Sequence, residues 1–126
     1  MQDKKHIAIL GSTGSIGKQA LEVIESHSDY FEVEVLTAQN NADLLIAQAK
    51  KFKPNAVVIA NEDHYEKVKA ALIPLDMKVF AGENALASVV EMDTIDLVLT
   101  ALVGFSGLRP TIKAIQSGKN IALANK

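Results

Sequence analysis

Apolar positions along this chain follow two alternating rhythms. Short β-branched or leucine-rich runs recur at residues 6–10, 33–38, 56–60, 78–81, 96–101 and 120–124. Several are apolar throughout instead of alternating, which is the pattern of parallel strands covered on both faces. Amphipathic stretches lie between them. Ile16, Ala20, Val23 and Ile24 share one predicted helical face, with Lys18, Gln19, Glu22 and Glu25 opposite. The same spacing returns in Leu45, Ala49 and Phe52, in Tyr65, Val68 and Leu72, in Leu86, Val89 and Val90, and in Leu108, Ile112 and Ile115. Asn41 and Asn61 stand where N-caps are expected, Pro110 fits a first helical turn, and Gly118 fits a C-terminal cap. Strand and helix therefore alternate from end to end. Short connections between parallel strands force right-handed crossovers, and the predicted fold is α/β, a doubly wound, mainly parallel sheet.

Composition narrows the class. At 126 residues the chain is one domain's worth of protein, read as a single unit over 1–126. Apolar residues make up 48% and charged residues 22%, which excludes a disordered or fibrous chain. With no cysteine there is no disulfide scaffold, thiolate metal site or thiol nucleophile. The net charge of −2 carries no nucleic-acid or membrane footprint. No run is long enough to span a membrane and no signal peptide opens the chain, so a cytoplasmic location is expected.

The chemistry begins after the first strand, at GSTGSIG, which brings Gly11, Gly14 and Gly17 to the start of a helix. A dinucleotide site needs one glycine for a tight turn, a second for approach of the pyrophosphate to the backbone, and a third for close helix–strand packing. Free N–H groups and the helix dipole then hold the phosphates, and Thr13 and Ser15 add hydroxyl donors. The spacing is G-x-x-G-x-x-G instead of G-x-G-x-x-G, and no Gly-Lys-Ser/Thr follows, so a Walker A loop is excluded. This context predicts a Rossmann-like NAD(P)-binding domain.

The tip of the second strand faces the adenosine ribose in such folds, and NAD enzymes place an acid there. Here it reads Thr37-Ala38-Gln39-Asn40-Asn41, without an acid, Lys or Arg. Glu32 and Glu34 come earlier and are expected to point out or to sit at the strand's start. Absence of the acid favours NADP, with Gln39, Asn40 and Asn41 as amide donors to phosphate oxygens. Asn41 reads equally well as a helix N-cap. Two further segments reach the carboxyl edge. One contains Gly104 and Gly107; the other ends in Asn125 and Lys126, read either as a solvated strand end or as groups suited to anion and amide recognition.

GSTGSIG, ALVGFSGLRPTIKAI and GKNIALANK together resemble the NADPH-binding domain of the 1-deoxy-D-xylulose 5-phosphate reductoisomerase family over the whole chain. That family rearranges and reduces its substrate to 2-C-methyl-D-erythritol 4-phosphate in non-mevalonate isoprenoid synthesis, using NADPH and a divalent metal, Mg²⁺ or Mn²⁺. The resemblance implies that Thr13, Gly14, Ser15 and Ile16 hold the cofactor phosphates. It implies that Gln39, Asn40 and Asn41 meet the 2′-phosphate, that Asn125 contacts the cofactor, and that Lys126 touches the sugar-phosphate substrate. Many members read Ala-Gly-Lys/Arg-Asn where this chain has Ala38-Gln39-Asn40-Asn41, so a basic residue is missing. The family pattern continues with Glu after LANK, and its metal carboxylates, lid and carboxyl-terminal domain lie further on. No catalytic or metal residue is therefore assigned here. The 126 residues alone are expected to be inactive, and a homodimer is expected of the full-length protein.

Other groups read as structural. His6, His27 and His64 lack ligand spacing. Glu62, Asp63, Glu66, Lys67 and Lys69 read as a solvated helix face with i,i+4 pairs, and Lys50, Lys51 and Lys53 as a solvated helix end. A semialdehyde or homoserine dehydrogenase is the same-class rival. A stand-alone nucleotide- or CoA-binding module, or a domain that has lost its ligand, is the alternative without catalysis.

Overall fold

A computed structural model describes residues 4–100 and 120–123. Among them, six strands form one parallel sheet: β1 (Lys5–Leu10), β2 (Phe31–Ala38), β3 (Ala56–Ile59), β4 (Lys78–Ala81), β5 (Leu97–Thr100) and β6 (Asn120–Leu123). The helices are α1 (Ser15–Ser26), α2 (Ala42–Phe52), α3 (Tyr65–Leu72) and α4 (Glu83–Val89). The strand order β4-β3-β2-β1-β5-β6 is that of a doubly wound sheet. The chain winds outward from β1 to β4, then returns past α4 to place β5 on β1's other side. The helical stripe expected at Leu108, Ile112 and Ile115, with Pro110 and Gly118, lies outside the described residues.

Both faces of the sheet are covered. Ile7, Ile9, Leu36, Val57 and Ile59 pack under Leu21, Ile24, Leu45, Ala49, Val68 and Leu72 of α1 to α3. On the opposite face Ala8, Leu10, Val35, Val58 and Val98 pack with Leu86, Val89, Val90 and Ile95. The two-sided burial accounts for the unbroken apolar run of β3, all four residues of which are buried. The stripe of α1 is rotated from the expected one. Gly17, Leu21 and Ile24 are buried, Ile16 and Ala20 are half-buried, and Val23 is 56% exposed. Leu21 fits the heptad-like row of Gly17 and Ile24, whereas Val23 lies about 100° round the helix from each neighbour in sequence.

Asn41 caps α2 through Leu44 N–H (3.2 Å), and Asn61 accepts from Asp63 N–H (3.0 Å). Glu62 and Asp63 form a short 3₁₀ turn (Glu62–His64) ahead of α3. Lys67 pairs across to Asp43 of α2 at 2.6 Å, and Lys69 Nζ lies 5.5 Å from the Tyr65 ring centre.

β2 carries a bulge. Ile7 pairs with Val33 but Ala8 pairs with Val35, leaving Glu34 as the extra residue. Glu34 was expected to point out or to sit at the strand's start; it is the fourth residue of β2 and is 5% exposed. Its carboxylate accepts from Asn55 Nδ2 (2.7 Å) and meets His6 Nδ1 (2.9 Å), so a buried charge is partnered on both oxygens. His6 N–H donates to Asp96 (2.9 Å), and Glu32 lies 3.6 Å from His6 Nε2. The hydrogen bond to Glu34 raises the His6 pKa; burial opposes it, and the charges of Glu34, Glu32 and Asp96 add to it.

Candidate functional site

The order β2-β1-β5 puts the topological switch point between β1 and β5, and ligands of open α/β sheets bind outside the carboxyl ends at that point. The chain leaves β1 there through Gly11, whose φ of +84° is a region that a Cβ disfavours. Gly11 and Ser12 are buried, Thr13 is half-buried, and Gly14 and Ser15 are exposed.

The turn is held by a buried polar network. Gly11 N–H donates to Thr37 Oγ1 (3.0 Å), and Ser12 N–H donates to the Thr37 carbonyl (2.8 Å). Gln48 of α2 grips Ser12 at two points: its Oε1 accepts from the Ser12 hydroxyl (2.7 Å) and its Nε2 donates to the Ser12 carbonyl (2.9 Å). A planar trans peptide sends its C=O and N–H in opposite directions, so Thr13 N–H points away from Gln48. Thr13 N–H has no acceptor among the described residues.

The helix start is equally open. Lys18 N–H makes the first helical bond, to Gly14 O, which leaves the N–H groups of Ser15, Ile16 and Gly17 without intrahelical partners. Gly14, at the N-cap, supplies no side-chain cap, and the first turn has no acid. Among the described residues a Cβ on Gly14 would meet only Gly11 O, at 3.8 Å, so they leave the space above Gly14 clear. A Cβ on Gly17 would fall 2.2 Å from Gly11 O and 2.7 Å from Ser12 Cα, which is the close helix–strand contact expected of the third glycine. Across the switch point, the Thr100 hydroxyl at the end of β5 is buried without a partner among the described residues. Donors aimed outward, clear space and an orphaned hydroxyl on the opposite lip fit a bound phosphate group.

Gln39, Asn40 and Asn41 follow β2 and are exposed on the same edge as the turn. Asn40 Oδ1 accepts from Asn61 Nδ2 at 2.8 Å. Residues 101–107, Asn125 and Lys126 lie outside the described residues. Thr37, Gln48, Asn61 and Thr100 were not among the expected site residues. The signal for Gln48 was available: it falls on the stripe of Leu45, Ala49 and Phe52, where a polar side chain is buried and needs partners. Among the described residues no group of three or more His, Cys, Asp or Glu could hold a metal ion, and no helix is long and apolar enough to cross a membrane.

Sheet order, glycine turn and covered faces define a doubly wound α/β domain of the Rossmann type. The model of 1-deoxy-D-xylulose 5-phosphate reductoisomerase matches residues 7–126, and the chain belongs to that family. It is 63% identical over 98% of its length to the reductoisomerase of Phocaeicola vulgatus, and 56% identical over 98% to that of Porphyromonas gingivalis. The chain spans about a third (32%) of the length of these curated relatives. Among solved structures it is similar to the reductoisomerase of Zymomonas mobilis in complex with NADPH, with a TM-score of 0.91 and 36% identity over 98% of this chain and 32% of that one. A second similar structure is a DOX-P reductoisomerase with NADPH, fosmidomycin and magnesium, with a TM-score of 0.91 and 32% identity over 96% of this chain and 30% of that one.

Proposed function

We propose that the chain is the NADPH-binding domain, over 1–126, of a reductoisomerase that converts 1-deoxy-D-xylulose 5-phosphate to 2-C-methyl-D-erythritol 4-phosphate. The observation that carries this reading is the open cradle: among the described residues the N–H groups of Thr13, Ser15, Ile16 and Gly17 have no acceptor, and a Cβ on Gly14 would meet only Gly11 O. The cradle binds the pyrophosphate through its N–H groups, and the Thr13 and Ser15 hydroxyls add donors. Gln39, Asn40 and Asn41 meet the 2′-phosphate end, and Asn125 contacts the cofactor. When bound, NADPH supplies the hydride for the reduction; the chain binds the cofactor and orients it toward the substrate. Lys126 touches the sugar phosphate. The divalent metal is held by groups of the enzyme other than those described, and the full-length enzyme is a cytoplasmic homodimer.

Calorimetric titration with NADPH, NADH and CoA tests the reading. NADPH binding is expected, with weaker NADH binding. Binding of CoA without NADPH would replace this proposal with a CoA module. Substrate-dependent NADPH oxidation in the presence of Mn²⁺ is expected of the full coding sequence's product but not of these 126 residues alone.

A further inference from the structure

We infer that Asn61 sets the cofactor preference of this site by fixing which end of the Asn40 amide faces the adenosine ribose. The inference rests on the NADPH-binding reading above. No Lys or Arg stands at the tip of β2 to neutralise a 2′-phosphate, so a preference set at this tip comes from neutral groups.

The hydrogen bonds give those groups a direction. Asp63 N–H is a backbone donor and cannot be reversed. It donates to Asn61 Oδ1 (3.0 Å), so Asn61 has its NH₂ left for Asn40. That NH₂ donates to Asn40 Oδ1 (2.8 Å), which occupies the Asn40 oxygen and leaves its own NH₂ as the free end. Asn61 cannot drift from this role, because its N–H donates to the Gln39 carbonyl (2.9 Å) and pins the end of β3 to that of β2. The Asn40 backbone is fixed in turn by Ala42 N–H, which donates to its carbonyl (2.8 Å). Asn41 behaves alike: its Oδ1 accepts from Leu44 N–H (3.2 Å), and its NH₂ has no acceptor among the described residues. Two adjacent amides have their oxygens engaged inward and offer donors outward.

Two amides that present donors alone suit a phosphate, which accepts. They serve a ribose 2′-hydroxyl poorly, because that group binds NAD sites through an acceptor. The nearest carboxylate on α2, Asp43, is paired with Lys67. Asn61 thus acts through Asn40, as a positioning residue for specificity.

The test is a set of NADPH and NADH titrations on the full coding sequence's product. The variants are Asn61→Asp, Asn61→Ala, Asn40→Ala, and Asn61→Asp combined with Asn40→Ala. Asn61→Asp keeps the acceptor for Asp63 N–H but turns an oxygen toward Asn40, so the Asn40 amide reverses and points its oxygen outward. NADPH affinity should fall about two- to tenfold, the range of one hydrogen bond, while NADH affinity holds. Asn61→Ala, which adds no charge, should shift the same ratio in the same direction by less. In the Asn40→Ala background the effect of Asn61→Asp on the ratio should vanish. Persistence there would assign the effect to the introduced charge and overturn the inference. So would a wild-type ratio in Asn61→Asp, although NADPH binding itself would stand. A wild-type protein that binds neither dinucleotide, or prefers NADH, would bring down the proposed function and the inference with it.

Discussion

Gly14 and Gly17 stand one helical turn apart, yet the structure gives them unlike tasks. Gly17 is buried against Gly11 and Ser12 and leaves no room for a methyl group, whereas Gly14 is exposed, with φ of −78° and open space. Gly17→Ala should therefore cost about 2–4 kcal/mol of folding stability, as overpacking against backbone does. Gly14→Val should change stability by less than about 1 kcal/mol, because the backbone already suits a β-branched residue. It should nonetheless abolish NADPH binding by filling the cradle. Thermal melts paired with titration separate the two, and a large loss of stability in Gly14→Val would contradict the assignment. The turn at Gly11 and the close packing at Gly17 were legible in GSTGSIG, because each demands the absence of a side chain. The exposure of Val23 was not legible, because several overlapping sets of residues in α1 fit a helical period.

Two elements owe their precision to polar groups inside apolar patterns. α2 holds the glycine turn through Gln48, and Gln48→Leu would leave the Ser12 carbonyl without its partner and the Ser12 hydroxyl with only its longer bond to the Thr37 carbonyl (3.2 Å). A stability loss of about 1–3 kcal/mol is expected, with weaker NADPH binding as Thr13 N–H loses its aim. Denaturant unfolding and titration on the same variant check both parts. Unchanged values in both would show the grip to be incidental. β2 depends likewise on Glu34, whose bulge is tied to His6. The His6 pKa lies above its ordinary 6.5, so its contribution is complete below about pH 6.5 and fades as pH rises through the raised value. Unfolding measured from about pH 6 to about pH 9 should show the wild-type advantage over His6→Asn shrinking upward; a growing advantage would refute the coupling. The strands themselves were readable as apolar runs. Gln48 and Glu34 were not, since their partners Ser12 and His6 lie 36 and 28 residues away and only the fold brings them together.

At the scale of the whole molecule, alternation of strand and helix foretold a doubly wound sheet, and the comparisons agree with the resemblance read from three motifs. Strand order was beyond the pattern, because periodicity says which faces are buried but not which strands adjoin. The return of β5 to β1 bears on more than ligand placement. β1 meets β2 almost as soon as the intervening helix is made, but the contact from His6 to Asp96 spans 90 residues. At synthesis rates of roughly 5–20 residues per second, β1 therefore waits roughly 5–20 seconds with one edge unpaired. The cleft between β1 and β5 thus comes into being on the ribosome only after the half of the sheet from β1 to β4 has been made, with β6 still to follow. During that interval the bare edge of β1 is open to mispairing, beside the outer edge of β4.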